Sequence, residues 1–259
     1  HRWLILENIL CPELCREKLC EMLFETFNLP AFSLLVDAVA GLHSTGAQTG
    51  MVFQSGNSVT QCVPVYQGHV LMGAITDVNN LEFGGVEITD HLSKLLRDRG
   101  EDTVTSEVCD DIKKKLCYVA PNFSKELKQL KCKEYKLPDG KVIKIGKELI
   151  QCTEVFFDPT IWGREDKGIH DSIFKSIMNV KNSQIQEKMF QNIVMSGGSA
   201  IFEGLDERLT IEMQKIHKKK VNIVEGAFND RKMRDISNWL GGSIVGSMSG
   251  QSWISRENY

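Results

Sequence analysis

The residues that could do chemistry gather at two glycine-bearing corners. The first is "FQSGNSVTQCVPVY" at 53–66, where two apolar stretches flank a Ser-Gly-Asn-Ser turn. Gly56 and its small neighbours leave room for backbone N–H groups to close on a phosphate. A phosphate loop that handles magnesium normally adds a carboxylate, and here Gln54 and Asn57 stand instead. The second corner is "IVMSGGSAIFEG" at 193–204, with Ser196-Gly197-Gly198 between an apolar strand and a helix. N–H groups at a helix start attract anions, and glycine permits close approach. A further pair, Gly84-Gly85, opens another helix. Any one of these corners reads equally well as a plain turn. The first therefore stays open between a nucleotide site, a site stripped of its acidic groups, and a simple hairpin.

Strands and helices alternate around these corners. Apolar residues at 14, 19, 22, 23 and 27 predict a helix over 12–28, with Pro12 in its first turn. A second, mostly apolar helix is predicted over 32–43. Residues 49–71 read as three strands joined by two turns, the second at Gln67-Gly68. Helices follow from Gly84 to Gly100 and over 105–120, the latter capped by Thr105 or Ser106. Pro138-Asp139-Gly140 turns a hairpin at 135–146. Residues 169–180 and 184–192 read as helices, 221–226 as a strand, and "NWLGGSIVGSMSG" as a helix opened by glycine. The alternation predicts an α/β architecture.

Bulk properties narrow the class. Of 259 residues, 42% are hydrophobic and 25% charged, as in an ordinary globular protein with a sizeable core. A net charge of -3 gives no global basic footprint, and "HKKKV" at 217–221 reads as a solvated helix end, so no nucleic-acid partner is implied. No apolar run reaches membrane-spanning length, and Glu7 interrupts the first apolar stretch too early for a signal peptide. Cysteines stand at 11, 15, 20, 62, 109, 117, 132 and 152 without a Cys-x-x-Cys pair. Cys11, Cys15 and Cys20 could share a helix face but lack a fourth ligand at a recognisable spacing, so no metal site is assigned. Reduced, buried thiols are expected, and with them a cytosolic or nuclear setting.

Several stretches carry a resemblance, in order and at near-matching spacing: "EKLCEMLFETFNLPA", "SGNSVTQCVPVYQGHVL", "DIKKKLCYVA", "KLPDGKVIKIG", "GIHDSIFKSIM", "IVMSGGSAIFEG" and "WLGGSIVGSM…WISRENY". Together they resemble the actin and actin-related family over nearly the whole chain. The resemblance implies the actin-like ATPase fold, two ribonuclease-H-like halves closing on ATP or ADP with a divalent metal. It matches residue 1 to a point inside the family's first large domain. The family's N-terminal strands, first phosphate loop and mobile small subdomain have no counterpart, so the fold is expected to be partial. The implied organisation is 1–44 as the helical remainder of the first large domain, 45–234 as the second with an inserted small subdomain, and 235–259 as the return to the first.

The family's second phosphate loop matches Ser55, Gly56, Asn57, Ser58 and Val59. Gly85, Lys113 and Lys114, with Gly197, Gly198, Ser199, Ile201 and Phe202, match positions around the ribose and base, and Lys232 matches a lysine beside the base. The departures matter more. Gln54 replaces a metal-side aspartate, Asn57 a loop aspartate, Ser58 a glycine and Gln61 a histidine. Asp37 replaces the water-positioning glutamine, and Lys114 a glutamate. An amide at 54 cannot supply the charge that holds hydrated magnesium, so weak metal retention and impaired ATP hydrolysis are expected. Asp37 and Gln54 also invert the family's Gln/Asp pair, and an exchange of roles could keep one carboxylate near the metal.

The family's partner groove matches His43, Gly46, Gln48, Ile244, Val245 and Met248, with the last three expected on one helix face. The resemblance implies other actin-like subunits or actin-binding proteins as partners, and a place in the cytoskeleton, the cytoplasm or the nucleus. "DPTIWGREDKG" at 158–168 matches a loop used between filament strands, but Arg164, Glu165, Asp166 and Lys167 charge it heavily. Three functions stay open: a structural subunit of a filament or complex, an ATP-hydrolysing actin, and a nuclear subunit of a chromatin-remodelling assembly. Substitutions at 37, 54, 57 and 61 weigh against the second.

Overall fold

The structure is a computed structural model that describes residues 1–75, 80–81, 83–102, 104–163, 165, 167–217, 220–224, 226–250 and 252–259. Strand β1 (Trp3–Glu7) lies parallel to β2 (Ala31–Val36), in register from Trp3 opposite Phe32 to Glu7 opposite Val36. The connection is helix α1 (Glu13–Glu21), extended by one wider turn over Met22–Thr26. That arrangement confirms the predicted helix, with Pro12 immediately before its first residue.

One expectation fails here. Residues 32–36 are not helical: they form all of β2 but its first residue, and helix α2 begins only at Asp37 and runs to His43. Local preference for Ala and Leu in helices is worth a few tenths of a kcal/mol per residue. Pairing of β2 with β1 on one side and with the C-terminal residues 254–255 on the other overrides it.

The second sheet starts with β3 (Gly50–Ser55), β4 (Thr60–Tyr66) and β5 (His69–Val70), the strand-turn-strand series predicted. Gln67 and Gly68 take φ of 50° and 77°, the left-handed pair a tight hairpin requires. Residues Asn80–Leu81 (β6) pair with β4. Next come helices α3 (Gly85–Asp98), α4 (Ser106–Leu116, with Thr105 accepting from Val108 N–H) and α5 (Phe123–Gln129). Strands β7 (Lys133–Lys136) and β8 (Val142–Ile145) form the predicted hairpin. Helices α6 (Glu148–Gln151), α7 (Ile169–Met178) and α8 (Ser183–Phe190) lead to β9 (Ile193–Ser196), followed by α9 (Leu205–Ile216) and β10 (Ile223–Val224). Sheet order is β10-β9-β3-β4-β5.

Helix α10 (Ser237–Gly246) and β11 (Ile254–Ser255) close the chain, β11 antiparallel to β2. Glycine does not open α10. Gly241 and Gly242 sit in its middle because α2 crosses there: a Cβ on Gly241 would stand 1.7 Å from the Ala40 carbonyl oxygen. On its other side α10 covers β1, with Gly242 and Gly246 facing Leu6 and Leu4.

Alternation along β3 divides the core. Met51 and Phe53 enter a large cluster beneath α3, α4, α7 and α9, while Val52 faces Val63, Val65, Val194 and the Ala38–Leu42 stretch of α2. Cys62, Cys109, Cys117 and Cys152 are buried, but Cys15 and Cys132 are exposed and Cys11 and Cys20 half-buried, which corrects the expectation of buried thiols for those four. Cys15 and Cys20 lie on α1, none of whose residues is buried, and Cys11 and Cys132 lie in the connections that lead into α1 and β7. All eight are free. No helix among the described residues is long and apolar enough to cross a membrane. In the 158–168 loop, Arg164 and Asp166 lie outside the described residues, as do Lys218 and Lys219 of the short basic run.

Candidate functional site

Parallel pairing of β3 with β9 brings the two glycine corners side by side, since both strands end at the same level. The fit is close: Gly197 has φ 92°, and a Cβ there would stand 2.2 Å from the Ser55 carbonyl oxygen. Ser199 Oγ donates to the Gly56 carbonyl at 2.9 Å, tying one loop to the other. Within the first loop, Gly56 N–H donates to the Val59 carbonyl, and the Ser55 and Thr60 hydroxyls share a buried hydrogen bond of 2.8 Å.

Helix α3 braces the same loop. Gly85 N–H donates to the Gly56 carbonyl and Val86 N–H to the Asn57 carbonyl, at 3.0 and 2.8 Å. Gly84 must be glycine for that approach, because a Cβ would stand 2.6 Å from the Asn57 carbonyl oxygen. The first N–H groups of α3 are thus committed to the loop rather than offered to an anion. Lys113 on α4 completes the wall. Its ammonium donates to the Gly85 carbonyl (2.8 Å) and the Thr89 hydroxyl (2.7 Å), and pairs with Asp110 at 2.8 Å. Those three bonds use all three of its protons.

A cleft of about 970 Å³ opens between these loops and α4. Of the residues expected around a nucleotide, Gly56, Asn57, Gly85, Lys113, Lys114, Gly198, Ser199, Ile201 and Phe202 line it. Phe202 also packs edge-on to Phe156, 6.1 Å between ring centres, so one ring serves core and cleft. Gly198 faces open space, with nothing within 4 Å of where its Cβ would stand. Ser55, Ser58, Val59, Gly197 and Lys232 do not line the cleft. Ser55 and Gly197 meet each other behind the lining residues, and Lys232 is exposed on a short turn whose neighbours Arg231 and Asp235 do line it. Those two were missed because nothing in their local pattern sets them apart from other charged linker residues.

Behind the loop lies a second polar group. Residues 52 and 54 share a face of β3, so Gln54 points to the side where α2 begins, and Gln61 is its direct cross-strand partner. Gln54 Nε2 donates to Asp37 Oδ2 at 2.5 Å, and Ala38 N–H donates to Asp37 Oδ1 at 2.8 Å. Gln61 Nε2 donates to Asn8 Oδ1 at 2.8 Å. The Oε1 atoms of both glutamines are buried and have no partner. Burial pushes the Asp37 carboxyl above the usual aspartate range, against the pull of its bonds from Gln54 and Ala38. As a site for hydrated magnesium this fits poorly, because both oxygens of its carboxylate are already engaged and its charge is disfavoured.

A pH prediction follows. A carboxyl whose folded pKa is raised adds stability below its unfolded pKa and loses it as pH rises through the folded value. At pH 7 the ionised Asp37 is therefore a liability. The variant Asp37→Asn is expected to be more stable by about 1 kcal/mol at pH 7, roughly 2–4 °C in Tm, with its amide donating to the idle Gln54 Oε1. The advantage should be smaller at pH 4, because falling pH favours the protonated, uncharged form of Asp37. Denaturation curves at both pH values check it, and an equal gain at both would count against the burial argument.

The groove residues disperse in part. Val245 is buried, whereas Ile244 and Met248 are exposed, so the three do not share one face; Met248 lies beyond the end of α10. His43 Nδ1 meets the Val39 carbonyl at 2.9 Å, and its ring lies 3.6 Å from the Cβ position of Gly68. Gly46 has φ 78° and open space around it, and Gln48 accepts at its carbonyl from Gly68 N–H. Two features invisible in sequence hold the cleft's far end: fully buried Arg234 makes a two-pronged pair with Asp206 (2.8 and 3.0 Å), and its carbonyl accepts from Gly197 N–H. A family model for actin matches residues 1–259, and the chain belongs to the actin family.

Proposed function

We propose that this chain is a nucleotide-binding structural subunit of an actin-like filament or complex that turns ATP over slowly or not at all. One observation carries the reading: two braced glycine loops face one 970 Å³ cleft, while the metal-side position is an amide bonded to the Asp37 carboxylate. The nucleotide fits the residues present. Glycines at 56, 85 and 198 permit close approach, Ser199 offers a hydroxyl, and Lys114 and Arg231 bring positive charge to a rim that also holds Asp110 and Asp235. Phe202 and Ile201 give an apolar surface for a base. A bound nucleoside triphosphate supplies the phosphoanhydride bond whose cleavage would need an oriented water and a stabilised leaving group.

This chain's own residues do the holding and little of the rest. Gln54 and Gln61 cannot act as bases, and each donates its amide N–H to a neighbour, leaving a carbonyl oxygen that can accept but carries no charge. Lys113 fastens α4 to α3 and is expected to keep the cleft open rather than neutralise phosphate. Residues 1–44 and 235–259 are joined through β2–β11 and α2–α10, and α2 packs on β3, β4 and β9, so this part would support the strands that carry the loops rather than line the cleft. Other actin-like subunits or actin-binding proteins are the expected partners, in a cytoskeletal setting.

ATP binding and phosphate release by the full chain, beside Gln54→Asp, test the reading. Tight binding with negligible release is expected from the parent. The variant places two carboxylates together, so its Tm should rise with magnesium by several degrees more than the parent's, and its release should increase. Substantial release from the parent would overturn the proposal and assign the metal to Asp37.

A further inference from the structure

Cys117 and Cys152 form a thiol pair that the nucleotide reading does not use. Their sulfurs lie 3.5 Å apart, both residues are buried, and both are free. They are not equivalent. Cys117, at the end of α4, contributes to the cleft lining, whereas Cys152 is fully buried behind it. The backbones that carry them are already fastened together: Tyr118 N–H donates to the Leu149 carbonyl at 3.2 Å, and the Thr153 hydroxyl donates to the Tyr118 carbonyl at 2.7 Å. A disulfide needs its sulfurs near 2.05 Å, so side-chain rotation and a small approach suffice.

We propose that Cys117 and Cys152 are an oxidation site entered through the cleft, at which hydrogen peroxide converts the two thiols into a reversible disulfide. The Cys117 sulfur attacks a peroxide oxygen, the S–O bond forms as the O–O bond breaks, and the leaving hydroxide takes the thiol proton to become water. The Cys152 sulfur then attacks the Cys117 sulfur; the S–S bond forms, the S–O bond breaks and a second water leaves. Two thiols are oxidised and one peroxide is reduced, with nothing left over. The hydrogen bond to Cys117 and burial hold the Cys152 thiol well above its usual pKa, so the first attack on peroxide falls to Cys117, and Cys152 gives up its proton to the departing hydroxyl as it resolves. In the closed form α4 is stapled to α6, enclosing α5 and the β7–β8 hairpin in one loop. Reversible pairs of this kind are the ones expected where thiols are otherwise kept reduced.

The test uses the full chain with Cys11, Cys15, Cys20 and Cys132 changed to serine, all of them partly or fully exposed. Hydrogen peroxide near stoichiometry should remove two hydrogens by intact mass, and peptide mapping without reductant should join Cys117 to Cys152 in at least half the molecules. Dithiothreitol should restore the parent mass. With Cys152→Ser, a cyclic diketone should trap a sulfenic acid on Cys117; with Cys117→Ser, Cys152 should stay unreacted while the chain is folded. Absence of the joined peptide, or its appearance only in urea, would overturn the proposal, as would equal trapping in the two variants. Saturating ATP should slow closure at least fivefold. Closure unaffected by ATP would leave the oxidation site standing and count against the nucleotide reading instead.

Discussion

Gly241→Ala is expected to destabilise the protein by about 3 kcal/mol, lowering Tm by roughly 10 °C. Helix propensity alone argues the other way, since alanine in a helix interior gains about 1 kcal/mol over glycine. The contact decides the sign. The added methyl would stand 1.7 Å from the Ala40 carbonyl oxygen and 2.5 Å from its carbon, both backbone atoms that no rotamer change can move. Accommodating it means lifting α10 from α2, which also loosens α10 from Leu4 and Leu6 on β1 and strips packing from the small-residue contact around Gly41, Ser196 and Asn238. Gly246→Ala is the control in the same helix. Its methyl would meet a Leu4 methyl at an ordinary 3.5 Å, so a change within about 1 kcal/mol is expected. Thermal melts of the two variants give the comparison, and a Gly241→Ala protein as stable as the parent would show that α2 and α10 do not cross as described.

That crossing also marks the limit of what sequence could show. Gln67-Gly68 and Pro138-Asp139-Gly140 announce their hairpins because backbone conformation at a turn is decided locally. Thr105 announces the start of α4 for the same reason. The stretch 32–36 does not, because its partners come from both ends of the chain and the local pattern favours the wrong answer. Gly241 and Gly242 look like a helix opening when only α10 is considered; their purpose appears once α2 lies against them. The actin resemblance collected Gly56, Asn57, Gly198 and Ser199, and these do meet at one cleft. It paired Gln54 with Asp37, but it could not tell that Lys113 spends its protons on the wall, that Arg231 reaches the rim, or that Gln54 donates directly to the Asp37 carboxylate. Residue type gives an amide at 54, but only the pairing of β3 with β4 and the position of α2 determine what that amide touches.

Adjacent glycines at 197 and 198 should separate the cleft's architecture from its ligand. Gly197→Ala introduces a side chain at φ 92°, worth about 1–2 kcal/mol of backbone strain, and drives its methyl to 2.2 Å from the Ser55 carbonyl oxygen. Since that oxygen belongs to the neighbouring loop, relief requires the 55–59 and 197–202 corners to part. A loss of about 3 kcal/mol in stability is expected, and ATP affinity should fall by at least about tenfold because both loops shift. Gly198→Ala has neither problem: its φ is not in the left-handed region, and the methyl would enter empty space. Stability should change by less than about 0.5 kcal/mol. If phosphates approach this corner, that same methyl occupies their path, and affinity should still fall by about tenfold, equivalent to roughly 1.4 kcal/mol. Calorimetric titration with ATP, beside melts of each variant, separates the two effects. A Gly198→Ala protein that keeps both stability and affinity would mean that the ligand does not approach this corner, and the nucleotide reading would lose its main support.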